Sequence, residues 1–76
     1  MATDEEQEKR ISEDLRMFDE NVVMAKEDGE ERTARILDLA KRYRKDAEYY
    51  MKKKDYVTSF GCINYAHGLL DALIKW

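Results

Sequence analysis

The sequence contains no proline, three glycines, one cysteine and one histidine in 76 residues. A single cysteine excludes an intramolecular disulfide, and with it the small secreted domains that depend on disulfides. The lack of proline and the scarcity of glycine exclude collagen-like and mucin-like chains, and they remove the residues that most often break helices. Cys62 is therefore expected to be a small core residue in a reducing compartment rather than a reactive thiol.

Long hydrophobic runs are also missing. No apolar stretch approaches the roughly 18 residues that are needed to span a bilayer. The amino terminus reads Met1-Ala2-Thr3-Asp4-Glu5-Glu6, which is acidic where a signal peptide is basic and then apolar. We therefore expect a soluble, cytoplasmic protein with no membrane partner. The length suits a single domain over residues 1–76.

Charge, in contrast, is abundant and unevenly distributed. The chain is 41% charged, with a net charge of −3. Residues 1–31 carry twelve acids and four bases, whereas residues 32–54 carry nine bases and three acids. Two interpretations are open: an acidic arm beside a basic binding surface, or two neighbouring helices whose outer faces attract each other. The second is favoured, although each exposed ion pair contributes only about 0.2–1 kcal/mol.

The apolar spacing predicts a first helix over about residues 4–27. It begins at Thr3, which forms a capping box with Glu6. Its apolar side chains form one narrow seam with a helical period, made of Ile11, Leu15, Phe18, Val22 and Ala25. Gly29 is the expected residue at which the chain leaves the helix. The first charged turns, within residues 1–8, are expected to fray.

Two further helices are predicted over about residues 31–53 and 56–75. Asp55 is well placed to cap the last one, because its carboxylate can accept hydrogen bonds from free amides in the first turn. That helix has an apolar arc covering half its circumference, including Tyr65 and Leu69. The connections are short, which favours antiparallel neighbours. The predicted fold is all-α, an antiparallel up-down-up three-helix bundle.

The second half of the chain resembles a known family. Lys52-Lys53-Lys54-Asp55-Tyr56 is followed by Tyr65-Ala66-His67-Gly68-Leu69-Leu70-Asp71-Ala72. This segment resembles the archaeal domain of unknown function 357 family, most closely over residues 43–74. The resemblance implies an archaeal, cytoplasmic three-helix bundle like those of immunoglobulin- and albumin-binding modules, with no known activity. Lys54 stands where that family often has glycine.

His67 and Asp71 lie one helical turn apart, near Asn64. One interpretation is a small-ligand or metal site. The favoured alternative places His67 at the edge of the core, hydrogen-bonded by Asp71 or a tyrosine. Two ligands are too few for a strong metal site, so neither a metal nor a cofactor is expected.

Gly61 and Gly68 lie on one side of the last helix, with Asn64 and Ala72 between and beyond them. Each glycine costs about 1 kcal/mol of helix propensity relative to alanine. Such a strip allows another backbone to approach closely. That backbone belongs either to this bundle or to a partner, which is another protein or a second copy. The strip is our first candidate interaction surface.

A basic surface on the second helix interleaves cations with an aromatic ring, at Arg42, Lys45, Tyr49, Lys52 and Lys53. Cations for phosphates and flat faces for bases are what single-stranded RNA binding requires. The acidic net charge disfavours nucleic acid as a partner. The sequence has no phosphate-binding loop and no nucleophile motif. We therefore expect a non-enzymatic protein-interaction or assembly module, with a homodimer among the arrangements left open.

Overall fold

The computed structural model describes residues 3–25 and 30–75, and these form three α-helices. Helix α1 spans Asp4–Val22, α2 spans Glu31–Lys52 and α3 spans Tyr56–Lys75. The described residues contain no strand. The predicted all-α, three-helix fold is confirmed.

Helix α1 begins as predicted and ends earlier than predicted. The Thr3 hydroxyl accepts a hydrogen bond from the Glu6 amide at 3.1 Å, and the helix is formed from Asp4 onward. It ends at Val22 rather than near residue 27. The next amides bond back only three residues, as from Met24 to Asn21 at 2.9 Å. The side chains of Val23 and Met24 are exposed, so they add little burial that would extend the helix. Gly29 lies outside the described residues.

Contacts along the chain give the up-down-up arrangement. The start of α3 meets the start of α1, where the Tyr56 hydroxyl donates to Glu8 at 2.6 Å. The Ser12 hydroxyl of α1, in contrast, lies 3.7 Å from the sulfur of Met51 near the end of α2. Helix α1 therefore runs parallel to α3 and antiparallel to α2. Glu8 falls within the segment that was expected to fray, and it is held against α3.

The core is formed where all three helices meet. Ser59 is buried there, and its hydroxyl donates to the main-chain oxygen of Ala47 at 2.6 Å. This polar residue was not predicted to be in the core. The buried hydrophobic side chains are Ile11, Leu15, Phe18, Leu37, Ala40, Ala47, Tyr56, Ile63, Ala66 and Leu70. The three alanines allow α2 and α3 to pack closely, so these helices form the tightest pair.

The turn between α2 and α3 is a Schellman motif with lysine in the position that favours glycine. The Asp55 amide bonds to the Tyr50 carbonyl at 2.9 Å, and the Lys54 amide bonds to the Met51 carbonyl at 3.0 Å. Lys54 has a left-handed φ of 63°. Asp55 then caps α3 as predicted, accepting from the Thr58 amide at 3.3 Å.

Lys54→Gly is expected to raise the free energy of unfolding by about 1 kcal/mol, because glycine adopts the left-handed conformation without steric cost. Urea unfolding and the melting temperature measure this, with an expected rise of roughly 4–8 °C. Lys53→Gly is the matched control. Lys53 has a right-handed φ of −84°, so glycine there should lower stability. Equal destabilisation by both changes would contradict the turn geometry.

The Tyr56–Glu8 hydrogen bond makes stability depend on pH at the alkaline end. Hydrogen bonding to Glu8, then burial and the negative charges of Asp4 and Glu8, raise the pKa of Tyr56 from 10.0 to about 12. Its stabilising contribution should be complete below pH 10.0 and be lost as the pH rises through about 12. Urea unfolding of the wild type and Tyr56→Phe should converge over that interval. A constant difference between them up to pH 12 would contradict this assignment.

Candidate functional site

One face of α3 is exposed and carries no charge. Its residues recur every three or four positions, which places them on one side of the helix. We call this set the α3 outer face: Val57, Gly61, Asn64, Tyr65, Gly68 and Ala72. Val57 is 84% exposed. None of these six residues is charged, although 41% of the chain is.

The two glycines of the α3 outer face have open space around them. A Cβ atom built on Gly61 or Gly68 meets no atom within 4 Å. Close packing within the bundle, one of the two interpretations from sequence, is therefore wrong. Helix propensity disfavours glycine at both positions, and the fold itself supplies no compensating contact.

Aromatic side chains flank the α3 outer face on both sides. On the α2 side, Tyr65 is 53% exposed and stacks on Tyr43, with ring centroids 4.5 Å apart. On the α1 side, the Arg10 guanidinium lies 5.7 Å from the ring centroid of Phe60. The sequence placed Tyr65 in the apolar arc of α3, and the structure leaves it half-exposed at the edge of that arc, where it contacts Tyr43 of α2.

His67 sits at the edge of the core, half-buried between α3 and α1. Its Nε2 atom donates to the main-chain oxygen of Asp14 at 2.9 Å, since a carbonyl oxygen can only accept. Its ring meets Phe18 edge to face, with centroids 5.8 Å apart. The hydrogen-bond partner is thus a backbone carbonyl rather than the predicted Asp71 or tyrosine. Asp71 is half-buried and Asn64 is exposed.

The structure shows no group of three or more His, Cys, Asp or Glu side chains with metal-binding geometry in residues 3–25 and 30–75. Cys62 is half-buried, and burial, with the negative charges of Asp46 and Asp55, raises the pKa of its thiol. A raised pKa keeps the thiol protonated and lowers its nucleophilic reactivity at neutral pH.

The basic residues predicted on α2 lie along its exposed side. Several of them have partners: Arg42 lies 3.4 Å from Asp38, and Lys52 lies 3.4 Å from Glu48. The Lys53 ammonium lies 5.6 Å from the centroid of the Tyr49 ring, which covers one face of the aromatic group. Lys45 is exposed on the same side. The residues lie on one side of the helix, and two of the four cations, Arg42 and Lys52, have an acidic side chain beside them.

An open cleft of about 410 Å³ lies between α1 and α2. Arg44 spans it, with two bonds to Asp19 at 2.8 and 3.0 Å and one to Glu48 at 2.6 Å. The bonds to Asp19, followed by those to Glu48, raise the pKa of Arg44, against a lowering effect of burial. Sequence reasoning predicted attraction between α1 and α2 but not this pair. The guanidinium is occupied by carboxylates, so the cleft offers no free cation at its centre.

A family model described as a protein of unknown function, DUF357, matches residues 12–76. The chain belongs to this family. The DUF357 match covers most of α1 and the whole of α2 and α3, so it includes the α3 outer face and His67. The family resemblance found over residues 43–74 is confirmed, and it extends into the first helix.

No curated protein and no solved structure matches this DUF357 sequence. In the described part of the chain, no helix is long and apolar enough to cross a membrane.

Proposed function

We propose that the protein is a non-enzymatic protein-interaction module whose contact surface is the α3 outer face. One observation carries the proposal. Gly61 and Gly68 are exposed, and a Cβ atom built on either one meets no atom within 4 Å. The six residues of this face carry no charge. A surface of this kind is suited to close approach by another backbone.

Gly61 and Gly68 lower the stability of helix α3. Each costs about 1 kcal/mol in a helix relative to alanine. A domain of this size has a total stability of roughly 4–11 kcal/mol, from about 0.05–0.15 kcal/mol per residue. Two exposed glycines therefore remove a sizeable share of it. Close packing of a partner against the glycines would offset this loss of stability.

The chemistry of the face agrees with known interface composition. The cores of protein interfaces are depleted in charged residues and enriched in aromatic ones such as tyrosine. The α3 outer face has no charged member, and Tyr65 lies halfway along its length, at its α2 edge, with about half of its surface exposed.

The two other candidate functions have weaker support. At His67, Nε2 already serves a structural hydrogen bond to Asp14. On α2, Arg42 and Lys52 have acidic partners. We also propose a cytoplasmic location, because a single cysteine suits a reducing compartment, and an archaeal source, as the family resemblance implies.

A pull-down from an extract of the source cells tests the proposal. The bait is the tagged full chain, treated with and without nuclease, and bound proteins and RNA are identified. Gly68→Leu is the test variant, since Gly68 is exposed and a Cβ atom there meets no atom within 4 Å. Ala34→Leu on exposed α2 is the matched control, because it also places a leucine at a small, exposed helical position.

We expect wild type and Ala34→Leu to retain a protein partner, counting an untagged copy of this chain, and Gly68→Leu to lose at least nine-tenths of it. Circular dichroism should show equal helicity in all three. Retention of the partner by Gly68→Leu, or capture of RNA alone that nuclease removes, would overturn the proposal. An empty wild-type lane would overturn it as well.

A further inference from the structure

We propose that a second copy of this chain occupies the α3 outer face, packed antiparallel across a two-fold axis that passes between Asn64 and Tyr65. This inference rests on the proposed function and names the partner. It is carried by a symmetry in the exposed residues of α3, by the charges beside them and by the Tyr43–Tyr65 pair.

A two-fold dimer requires one surface to fit a copy of itself. The α3 outer face meets that requirement residue by residue. Gly61 and Gly68 are equidistant from the midpoint of residues 64 and 65, and Val57 and Ala72 are equidistant from it too. In an antiparallel pair, Gly61 of one copy therefore faces Gly68 of the other. Val57, 84% exposed in the single chain, faces a small alanine.

Charge favours a copy of the same surface. A charged face brought against itself would place like charges together, which disfavours association. The six residues of the α3 outer face carry no charge that would repel a copy. Beside it, Arg10 lies over Phe60, and Asp71 lies on that same α1 side of α3, eleven residues further along. The two-fold symmetry brings Phe60 of one copy, with Arg10 over its ring, close to Asp71 of the other. The two positions differ by only about 3 Å along the axis of helix α3, so opposite charges meet.

On the α2 side, the two-fold axis passes beside Tyr65. The two Tyr65 rings, each supported by Tyr43 at 4.5 Å, are thereby brought together. Tyr65 is 53% exposed in the single chain, and a cluster of four tyrosines would remove much of that surface from water. Aromatic clusters of this kind contribute strongly at interface centres.

The size of the face sets the expected strength. A helix of 20 residues is about 30 Å long and about 10 Å wide, which gives a footprint of roughly 300 Å². A standard interface buries about 800 Å² of accessible surface per partner. The dimer should therefore be weak and should dissociate on dilution.

Disulfide cross-linking tests the register. In a Cys62→Ala background, Gly61→Cys and Gly68→Cys variants carrying tags of different size are mixed and oxidised. The mixed disulfide should exceed either same-variant disulfide at least tenfold, because identical positions lie about 10 Å apart along the axis in this arrangement. Dominant same-variant products, equal amounts of all products or no product would each overturn the inference.

Sedimentation equilibrium over a wide concentration range tests association itself. Wild type and Ala34→Leu should rise from monomer towards dimer mass, and Gly68→Leu should remain a monomer. A wild type that is monomeric throughout would overturn the second-copy inference. If the pull-down then returns a different protein that Gly68→Leu loses, the proposed function stands and only this inference fails.

Discussion

Replacing Phe18 with alanine is expected to remove about 3–5 kcal/mol of unfolding free energy, the largest loss we expect from a single substitution. Phe18 is 1% exposed, and its ring packs on His67 with centroids 5.8 Å apart. The change deletes a large apolar group from the junction of α1 and α3 and leaves a cavity. In a domain with roughly 4–11 kcal/mol of stability, this loss is a substantial fraction of the total.

Urea unfolding followed by circular dichroism measures this loss. Met17→Ala is the matched control, because Met17 is the neighbouring residue and is 47% exposed, so its truncation should cost no more than about 0.5 kcal/mol. A Phe18→Ala variant within about 1 kcal/mol of wild type would contradict the packing of α1 described above.

Changing Gly61 and Gly68 together to alanine should raise the unfolding free energy of the monomer by about 1–2 kcal/mol. The added methyl groups meet no atom within 4 Å, so they improve helix propensity without strain. The same change should weaken self-association, since it separates backbones that would otherwise approach closely. Stability and binding are thus expected to move in opposite directions.

Urea unfolding at low protein concentration measures the first effect, and sedimentation equilibrium measures the second. Ala34→Gly serves as the control, because the reverse change at an exposed helical site should lose about 1 kcal/mol and leave association unaltered. A double variant that is less stable than wild type would show that the glycines make a contact within the bundle.

Periodicity and end signals predicted the helices well. The caps at Thr3 and Asp55 are local, since each side chain bonds an amide three residues away, and local signals can be seen in sequence. The seam of α1 was also predictable, with Ile11, Leu15 and Phe18 all buried. The end of α1 was not, because nothing in the sequence distinguishes the exposed residues beyond Val22 from a continuing helix.

Properties that depend on other helices could not be predicted. Ser59 can be buried because its hydroxyl donates a hydrogen bond to the Ala47 carbonyl of α2, and every residue has such a carbonyl. His67 also bonds a main-chain oxygen, that of Asp14, and the sequence could not identify this partner either. At the candidate site, the spacing of Gly61 and Gly68 was visible in sequence. Their open surroundings required the positions of α1 and α2.

The sequence predicted that α1 and α2 attract each other, but it did not predict which side chains form the ion pair. Arg44 and Asp19 form an ion pair between the two helices at 2.8 Å. Other pairs, such as Arg16 with Glu20 at 3.0 Å, join residues one turn apart on a single helix. Segment charge therefore indicates which elements attract each other, but it does not identify the side chains that meet.

The polar contacts of α1 also fix its position along the helix axis relative to α2 and α3. Its apolar seam repeats at nearly every turn, so a slip of one turn, about 5.4 Å, would leave similar side chains against the other helices. Two side-chain contacts distinguish the observed position from the slipped one: Glu8 with Tyr56, and Asp19 with Arg44. They lie at different turns of the helix, and a slip would break both at once. A narrow and repetitive seam thereby acquires a unique alignment.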